Sequence, residues 1–494
     1  MSYTSHAAPT AKNTIFTLIR RLHFYIGLFI APFIFVAALT GTLYVLTPQI
    51  EGFIYKDVLT TEPQGNAQPL SQQIVAARHY AGEDTLIYAV RPAPSATDTT
   101  RVQFVDNKLG ASESRSVFVD PYTLKIKGDL PVYGTSGILP LRTWLDGLHR
   151  ELLLGDLGRN YSELAASWLW VAALGGVILW LGTRPRRKVK SQKGRFAAAR
   201  HWHITLGLVL FVGLVFFSAT GLTWSQWAGN NIDKMRAEFN WMTPQVNTNL
   251  QSQNAPVAID PHAEHHGAAP IPAPAKQQDS MDGMDMSGMD MSTASTQTPA
   301  KRQNRADADW NTVLQAARAA GITASKVELR QPKAADKAWT VTEVDRGWPT
   351  QVDAVSVDPN TFAIIDHVWF AKFPLLAKLT RWGIDAHMGI LFGLANQLIL
   401  AAFGLGLCVM IVLGYRIWWI RRPAVAAIHP AQTLLSCWQA LSIGWRGITL
   451  LIAVVLGYCL PLMGISLLIF VAIDIVRWMR NHHRVSAHQQ AQDC

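Results

Sequence analysis

The chain has 494 residues, of which 49% are hydrophobic and 16% charged, with a mean hydropathy of +0.14 and a formal net charge of +10. A soluble globular protein carries nearer a quarter charged residues, which excludes an ordinary cytosolic enzyme. The 18 Trp, 19 Phe and 11 Tyr exclude a disordered chain, and the long polar stretches exclude a purely membrane-embedded one.

From the N-terminus, a cytoplasmic tail (1–14) leads into a first span (15–47) with the apolar stretch Leu22–Leu46. That stretch is too long for a cleaved signal peptide, and no A-x-A-like site follows it. A polar block (48–143) precedes a His-bearing segment and second span (144–183, apolar over Leu164–Gly182), then a basic loop (184–200). The third span (201–227, apolar over Ile204–Trp224) is followed by a connector (228–244) and a Met/His-rich insert (245–305). A second polar block (306–380) comes next, then a His-bearing segment and fourth span (381–420, apolar over His387–Ile420). A loop (421–435), an apolar tail segment (436–478) and a polar tail (479–494) complete the chain. Each polar block reads as a small α+β unit. A helical segment (Gln72–Tyr80; Thr312–Ala320) precedes alternating strands such as Arg115–Val119 and Val352–Val357, closed by an Asp-Pro-x-Thr turn.

The charge is unevenly placed, and its placement orients the chain. Residues 48–163 hold 14 acidic and 11 basic side chains, residues 225–386 hold 18 and 15, and the remainder holds 2 and 18. Arg184 to Arg200 alone carries eight Lys/Arg and no acid. A basic run between two apolar stretches follows the positive-inside rule, which puts this loop and the N-terminus, with Lys12, Arg20 and Arg21, in the cytoplasm. Both polar blocks then lie outside, and nucleic acid is not a partner. A hairpin turning near Leu460-Pro461 keeps Arg477, Arg480 and Arg484 inside. The cysteines, Cys408, Cys437, Cys459 and Cys494, avoid both blocks, so neither disulfides nor thiolate metal sites are expected there.

The chain also repeats itself. At a shift of 180 residues, Arg20, His23, Gly27, Thr40 and Gly41 fall on Arg200, His203, Gly207, Thr220 and Gly221. At a shift of 238, Trp144, His149, Gly155, Gly176 and Arg184 fall on Trp382, His387, Gly393, Gly414 and Arg422. Val119-Asp120-Pro121-x-Thr123 likewise falls on Val357-Asp358-Pro359-x-Thr361. Each half therefore reads as span, outer domain, span, and the insert accounts for the change of shift.

Duplication turns four histidines into two pairs. His23 and His203 stand at the cytoplasmic ends of spans one and three; His149 and His387 precede spans two and four on the outer side. A neutral imidazole is a common axial ligand of haem iron, and facing helices can clamp a haem between two of them. Gly27 and Gly207 lie one turn along the face of their histidines, where a missing side chain admits a flat macrocycle. A bland alternative is that interfacial His residues are tolerated where water is near. His201 is a rival to His203, but its repeat partner is Arg21. His149 lies 35 residues from Arg184, and His387 35 from Arg422. A continuous helix of that length is about 52 Å against a hydrocarbon core of about 30 Å, so these helices either protrude or break near Gly155 and Gly393.

Arg20-x-x-His23-x-x-x-Gly27 with Thr40-Gly41, its copy Arg200-x-x-His203-x-x-x-Gly207 with Thr220-Gly221, and the two Trp-x4-His motifs at Trp144–His149 and Trp382–His387 resemble the PepSY-associated transmembrane family. That family includes iron-regulated inner-membrane proteins and ferric-siderophore reductases. The resemblance covers residues 15–425 and implies a membrane α-helical bundle. Its four core spans form two repeats, with a C-terminal hydrophobic hairpin added and two small α+β PepSY-like periplasmic domains. It further implies haem b, two per chain, held by His23 with His203 and by His149 with His387, and electron transfer across the inner membrane to periplasmic ferric iron or a ferric siderophore. No G-x-G-x-x-G follows a strand, so the electron donor is separate, a quinol or a cytoplasmic reductase. A non-redox reading, a PepSY regulator of a peptidase, stays open.

The insert is outside that pattern. It reads His262-Ala-Glu-His265-His266, then Met281-Asp-Gly-Met284-Asp-Met286-Ser-Gly-Met289-Asp-Met291. Thioethers suit Cu(I) and imidazole suits Cu(II), so copper binding here, and a cupric substrate, compete with a plain low-complexity linker.

Overall fold

The computed structural model describes residues 11–110, 112–183, 194–250, 304–425 and 433–492. The Met/His stretch His262–Met291 and most of the basic loop lie outside the described residues. The chain divides into two compact units, one of residues 1–47, 144–241 and 380–494, the other of residues 48–143 and 242–379.

The helical unit begins with α1 (Ala11–Tyr25), a π-helical turn (Ile26–Ile30) and α2 (Ala31–Val45). Helices α3 (Thr47–Ile54), α4 (Lys56–Leu59) and α5 (Leu70–Ala81) follow in the chain, then the first four strands and α6 (Pro140–Glu151). Its further helices are α7 (Gly155–Thr183), α8 (Arg195–Val209), α9 (Phe211–Thr223) and α10 (Trp227–Glu238). After α11 (Asp307–Ala319) and four more strands come α12 (Leu375–His387), α13 (Gly393–Val425), α14 (Leu434–Gln439), α15 (Ile443–Cys459) and α16 (Pro461–Gln492). Among the described residues, three helices are long and apolar enough to cross a membrane: Thr14–Val45, Gly155–Thr183 and Gly393–Arg421. Helices α8 and α9, bent by 59° at Leu210, make a fourth if they form one span. The π-turn after His23 and the bend after His203 fall at equivalent repeat positions, since Ile30 and Leu210 are 180 residues apart.

The packing follows the duplication. Helix α1 packs on α7 and its counterpart α8 packs on α13; α2 crosses to α13 and its counterpart α9 crosses to α7. Ile30, Ile34, Trp168, Ala173, Leu210, Leu214, Leu407 and Ile411 fill the shared core. Helices α15 and α16 pack on each other across Leu460, and α16 joins the bundle through Phe470, which stacks on Tyr25 at 5.8 Å. The buried Asp474 of α16 would be costly in an apolar helix if unpaired. It accepts from Tyr25 Oη at 2.7 Å and from the Leu435 amide at 3.0 Å.

The structure decides one open alternative, adds a helix, and corrects one sequence expectation. The long His-to-Arg helices do not run through: α6 ends at Glu151 and α12 at His387, and new helices start at Gly155 and Gly393. Both glycines have positive φ, +59° and +56°, which a side-chain-bearing residue adopts only at a cost. His387 therefore stands before the fourth span. The 228–244 connector holds α10, whose first amides, Trp227 N and Ala228 N, are capped by the buried Glu163 carboxylate at 2.9 and 3.0 Å. Finally, the two polar blocks do not form two separate sheets.

In the sheet unit, β1 (Ile87–Arg91), β2 (Thr100–Phe104), β3 (Glu113–Val119) and β4 (Ile126–Tyr133) form one meander. A second is built from β5 (Val327–Arg330), β6 (Trp339–Glu343), β7 (Ala354–Val357) and β8 (Ile364–Val368). They join into a single antiparallel sheet in the order β4-β3-β2-β1-β5-β6-β7-β8, with Val90 opposite Leu329 at the seam. Pairing β1 with β5 removes the two long edges that separate domains would expose. Alternating Val, Ile and Phe side chains cover one sheet face, against which α5 and α11 pack with Ile74, Ala77, Trp310 and Val313. The Asp-Pro-x-Thr segments are tight turns in both halves. Asp120 accepts from the Tyr122 and Thr123 amides at 2.9 and 3.3 Å, and Asp358 from those of Asn360 and Thr361 at 2.7 and 2.9 Å.

Candidate cofactor site

All four candidate histidines lie in the helical unit, and the fold brings them together in pairs. His23 is within electrostatic reach of His203, and His387 of His149. The rival His201 is exposed, its ring edge-on to Trp202. Helix periodicity explains the difference: two residues apart, His201 and His203 point to opposite sides of α8.

Three of the histidines engage Nδ1 in a hydrogen bond. Thr40 Oγ1 donates to the Val36 carbonyl at 2.7 Å, four residues back in its own helix, and lies 3.0 Å from His149 Nδ1. Thr220 Oγ1 donates to the Phe216 carbonyl at 2.8 Å and lies 2.7 Å from His387 Nδ1. A hydroxyl whose one proton lies on the carbonyl accepts from histidine. The imidazole proton is then on Nδ1, and the Nε2 lone pair is free to ligate. His203 reaches the same tautomer differently: its Nδ1 is 2.9 Å from the Met410 carbonyl, which can only accept. Ala172, the repeat counterpart of Met410, presents its backbone to the buried His23 ring.

Glycines flank these rings where the duplication matches them. A Cβ on Gly176 would stand 3.5 Å from His23 Cε1, and one on Gly414 would stand 3.4 Å from His203 Cε1. A Cβ on Gly41 would come closer still to His149, at 3.1 Å from Cε1. The expected cradle glycines differ: Gly27 faces open space, whereas Gly207 faces Met410 Sδ at 3.6 Å. Aromatic rings wall His387, with Phe217 at 4.9 Å and Trp224 at 5.1 Å between centroids. Tyr161, on α7, donates to the His149 carbonyl and so ties the end of α6 down.

Sequence reasoning named Thr40, Thr220, Gly176 and Gly414 only as repeat markers. Their contact with the histidines is what the repeat preserved, and that matching was the available signal. Tyr161 has no repeat counterpart and gave none. Among the described residues, no group of three or more His, Cys, Asp or Glu is placed to hold a bare metal ion. His262, His265, His266, Met281, Met284, Met286, Met289 and Met291 lie outside the described residues.

Membrane-length helices, an internal duplication and histidines paired across it define an integral membrane protein built from two like halves. The family model of the PepSY-associated TM region matches residues 20–421, and the chain belongs to that family. None of the curated proteins compared with it matches.

Proposed function

We propose that the protein is a haem-bearing oxidoreductase of the bacterial inner membrane, with four core spans and the sheet unit in the periplasm. It passes electrons outward to ferric iron or a ferric siderophore. The observation that carries this reading is a shared hydrogen-bond pattern: His149 and His387, which the duplication makes equivalent, each set Nδ1 against a threonine hydroxyl, and His203 sets Nδ1 against the Met410 carbonyl, which turns Nε2 of each ring to other work. The residues fit haem b by donor chemistry and by the ring-facing glycines. His23 and His203 would hold one haem, His149 and His387 a second. Haem iron there supplies reversible one-electron chemistry. Thr40 and Thr220 orient their imidazoles and raise their basicity through the Nδ1–H bond. Phe217 and Trp224 exclude water from His387. A separate reductant is required, and the slightly acidic polar blocks suit a cationic metal substrate.

The test is a reduced-minus-oxidised absorption spectrum of the purified, haem-replete protein. We expect bis-His haem b bands, with about half the haem lost in either His23→Ala or His387→Ala. No bands at all would overturn the reading, and loss of all haem or none would overturn the two-site assignment. The five Met at two- and three-residue intervals in the insert favour, in addition, copper capture. Deleting residues 255–300 should then abolish Cu(I) binding, and unchanged binding would return the insert to a linker.

A further inference from the structure

Both halves break their first helix at the same repeat position, but by different means. The bend at Leu210 uses no proline, whereas the π-turn is followed directly by one. Pro32 is the second residue of α2 and has no amide hydrogen to give the Leu28 carbonyl, four residues back; its ring also crowds that carbonyl. The chain responds by widening, and the Ala31 amide reaches back five residues to the Ile26 carbonyl. In lipid, a carbonyl deprived of its usual helical amide is satisfied by a neighbouring helix. Leu28 has such a neighbour: Tyr415 Oη of α13 donates to its carbonyl at 3.0 Å. The duplication removes both members of this arrangement together. Pro32 falls on Val212, which has an amide hydrogen of its own, and Tyr415 falls on Val177, which has no hydroxyl. The proline and its compensating hydroxyl stand together in one half-helix contact and are both missing from its counterpart.

Location gives the contact its use. The π-turn opens at Ile26, three residues after His23, so the shape of the turn sets where α1 holds that ring. Tyr415 follows Gly414, which faces the His203 ring, and stands five residues from Met410, whose carbonyl meets His203 Nδ1. One stretch of α13 therefore supports His203 directly and His23 through the turn. Packing of the Tyr415 ring would need no hydroxyl; the bond to Leu28 does. We infer that Tyr415 is a positioning residue: its hydroxyl latches the π-turn of the first span and so keeps His23 within reach of His203. The inference deepens the proposed function by naming what fixes the geometry of the inner pair. It rests on that reading for its purpose, while the latch itself is measurable without haem.

The experiment is a double-mutant cycle in the full-length protein, Tyr415→Phe against Pro32→Ala, read by thermal melting and by redox titration. Alanine at position 32 returns the amide hydrogen, so Leu28 no longer depends on Tyr415. Tyr415→Phe should lower the melting temperature with Pro32 in place and leave it unchanged in the Pro32→Ala background. An equal effect in both backgrounds, including none, means that the ring packs without latching and overturns the inference. In the redox titration, Tyr415→Phe should shift the potential of the haem that His23→Ala removes. Loss of that haem on dilution should quicken on the order of fivefold, the worth of one hydrogen bond, with the other haem unchanged. A change in neither haem, or an equal change in both, overturns the positioning role. Haem bands absent from wild type and every variant would reject the proposed function, while the melting cycle would still decide the latch.

Discussion

Thr220 shows how much of the candidate site rests on single hydrogen bonds. Its hydroxyl lies 2.8 Å from the Phe216 carbonyl and 2.7 Å from His387 Nδ1, and so links the ring to its own helix. Thr220→Val keeps the side-chain volume and removes both bonds. His387 can then flip its tautomer or rotate, and partners of this kind typically change cofactor or metal affinity by 10- to 100-fold. We expect Thr220→Val to lower haem retention on dilution by at least about tenfold, with the His23/His203 pair untouched. Roughly half the haem should therefore remain. Thr220→Ser, which preserves the hydroxyl, should restore retention. Equal haem content in wild type and the Val variant after dilution would remove the threonine from the site.

At the scale of helices and strands, legibility in the sequence followed the physics of each signal. The long apolar runs Leu22–Leu46, Leu164–Gly182 and Ile204–Trp224 announced helices, because twenty or so apolar residues have few other solutions. Their bounds were less legible. Helix α1 starts at Ala11, well before the apolar run, since Arg20 and Arg21 sit comfortably at a helix end near water. The breaks at Gly155 and Gly393 were readable only as alternatives, because glycine permits a positive φ without requiring one. The Leu210 bend carried no signal, as neither proline nor glycine stands there; just beyond it, Phe403 presses on Gly213. The repeat singled out the four histidines. The side of each ring that faces a carbonyl or a hydroxyl was not legible, because that depends on a helix from another part of the chain.

At the scale of the whole molecule, the feature sequence reading missed is that the two halves share one sheet. A repeat reports similarity between its copies and says nothing of whether they pair edge to edge. What joins them is chemical as well as hydrophobic. Glu328 of β5 is buried between Arg91 of β1, 2.7 Å from its Nε, and Arg330, 2.6 Å from its Nε, so one carboxylate ties the first half to the second. Burial alone would raise the Glu328 carboxyl, but Arg330 and Arg91 override it and hold it below the ordinary glutamate range. A carboxyl lowered on folding stabilises the fold above its unfolded value of about 4.3, and that contribution vanishes as pH falls through the lower folded value. The melting temperature of the sheet unit should therefore be insensitive to this group from pH 8 to pH 5 and fall in acid. Glu328→Gln leaves two guanidinium groups buried against an amide, and breaking a buried pair in this way costs about 3–5 kcal/mol. At pH 7 the variant should melt well below wild type, and the gap should narrow as acid protonates the wild-type carboxyl. Melting of full-length protein at pH 7 and pH 3, with the strand signal followed in the infrared, checks this. A gap of equal size at both pH values would show that Glu328 holds the seam by packing and not by charge.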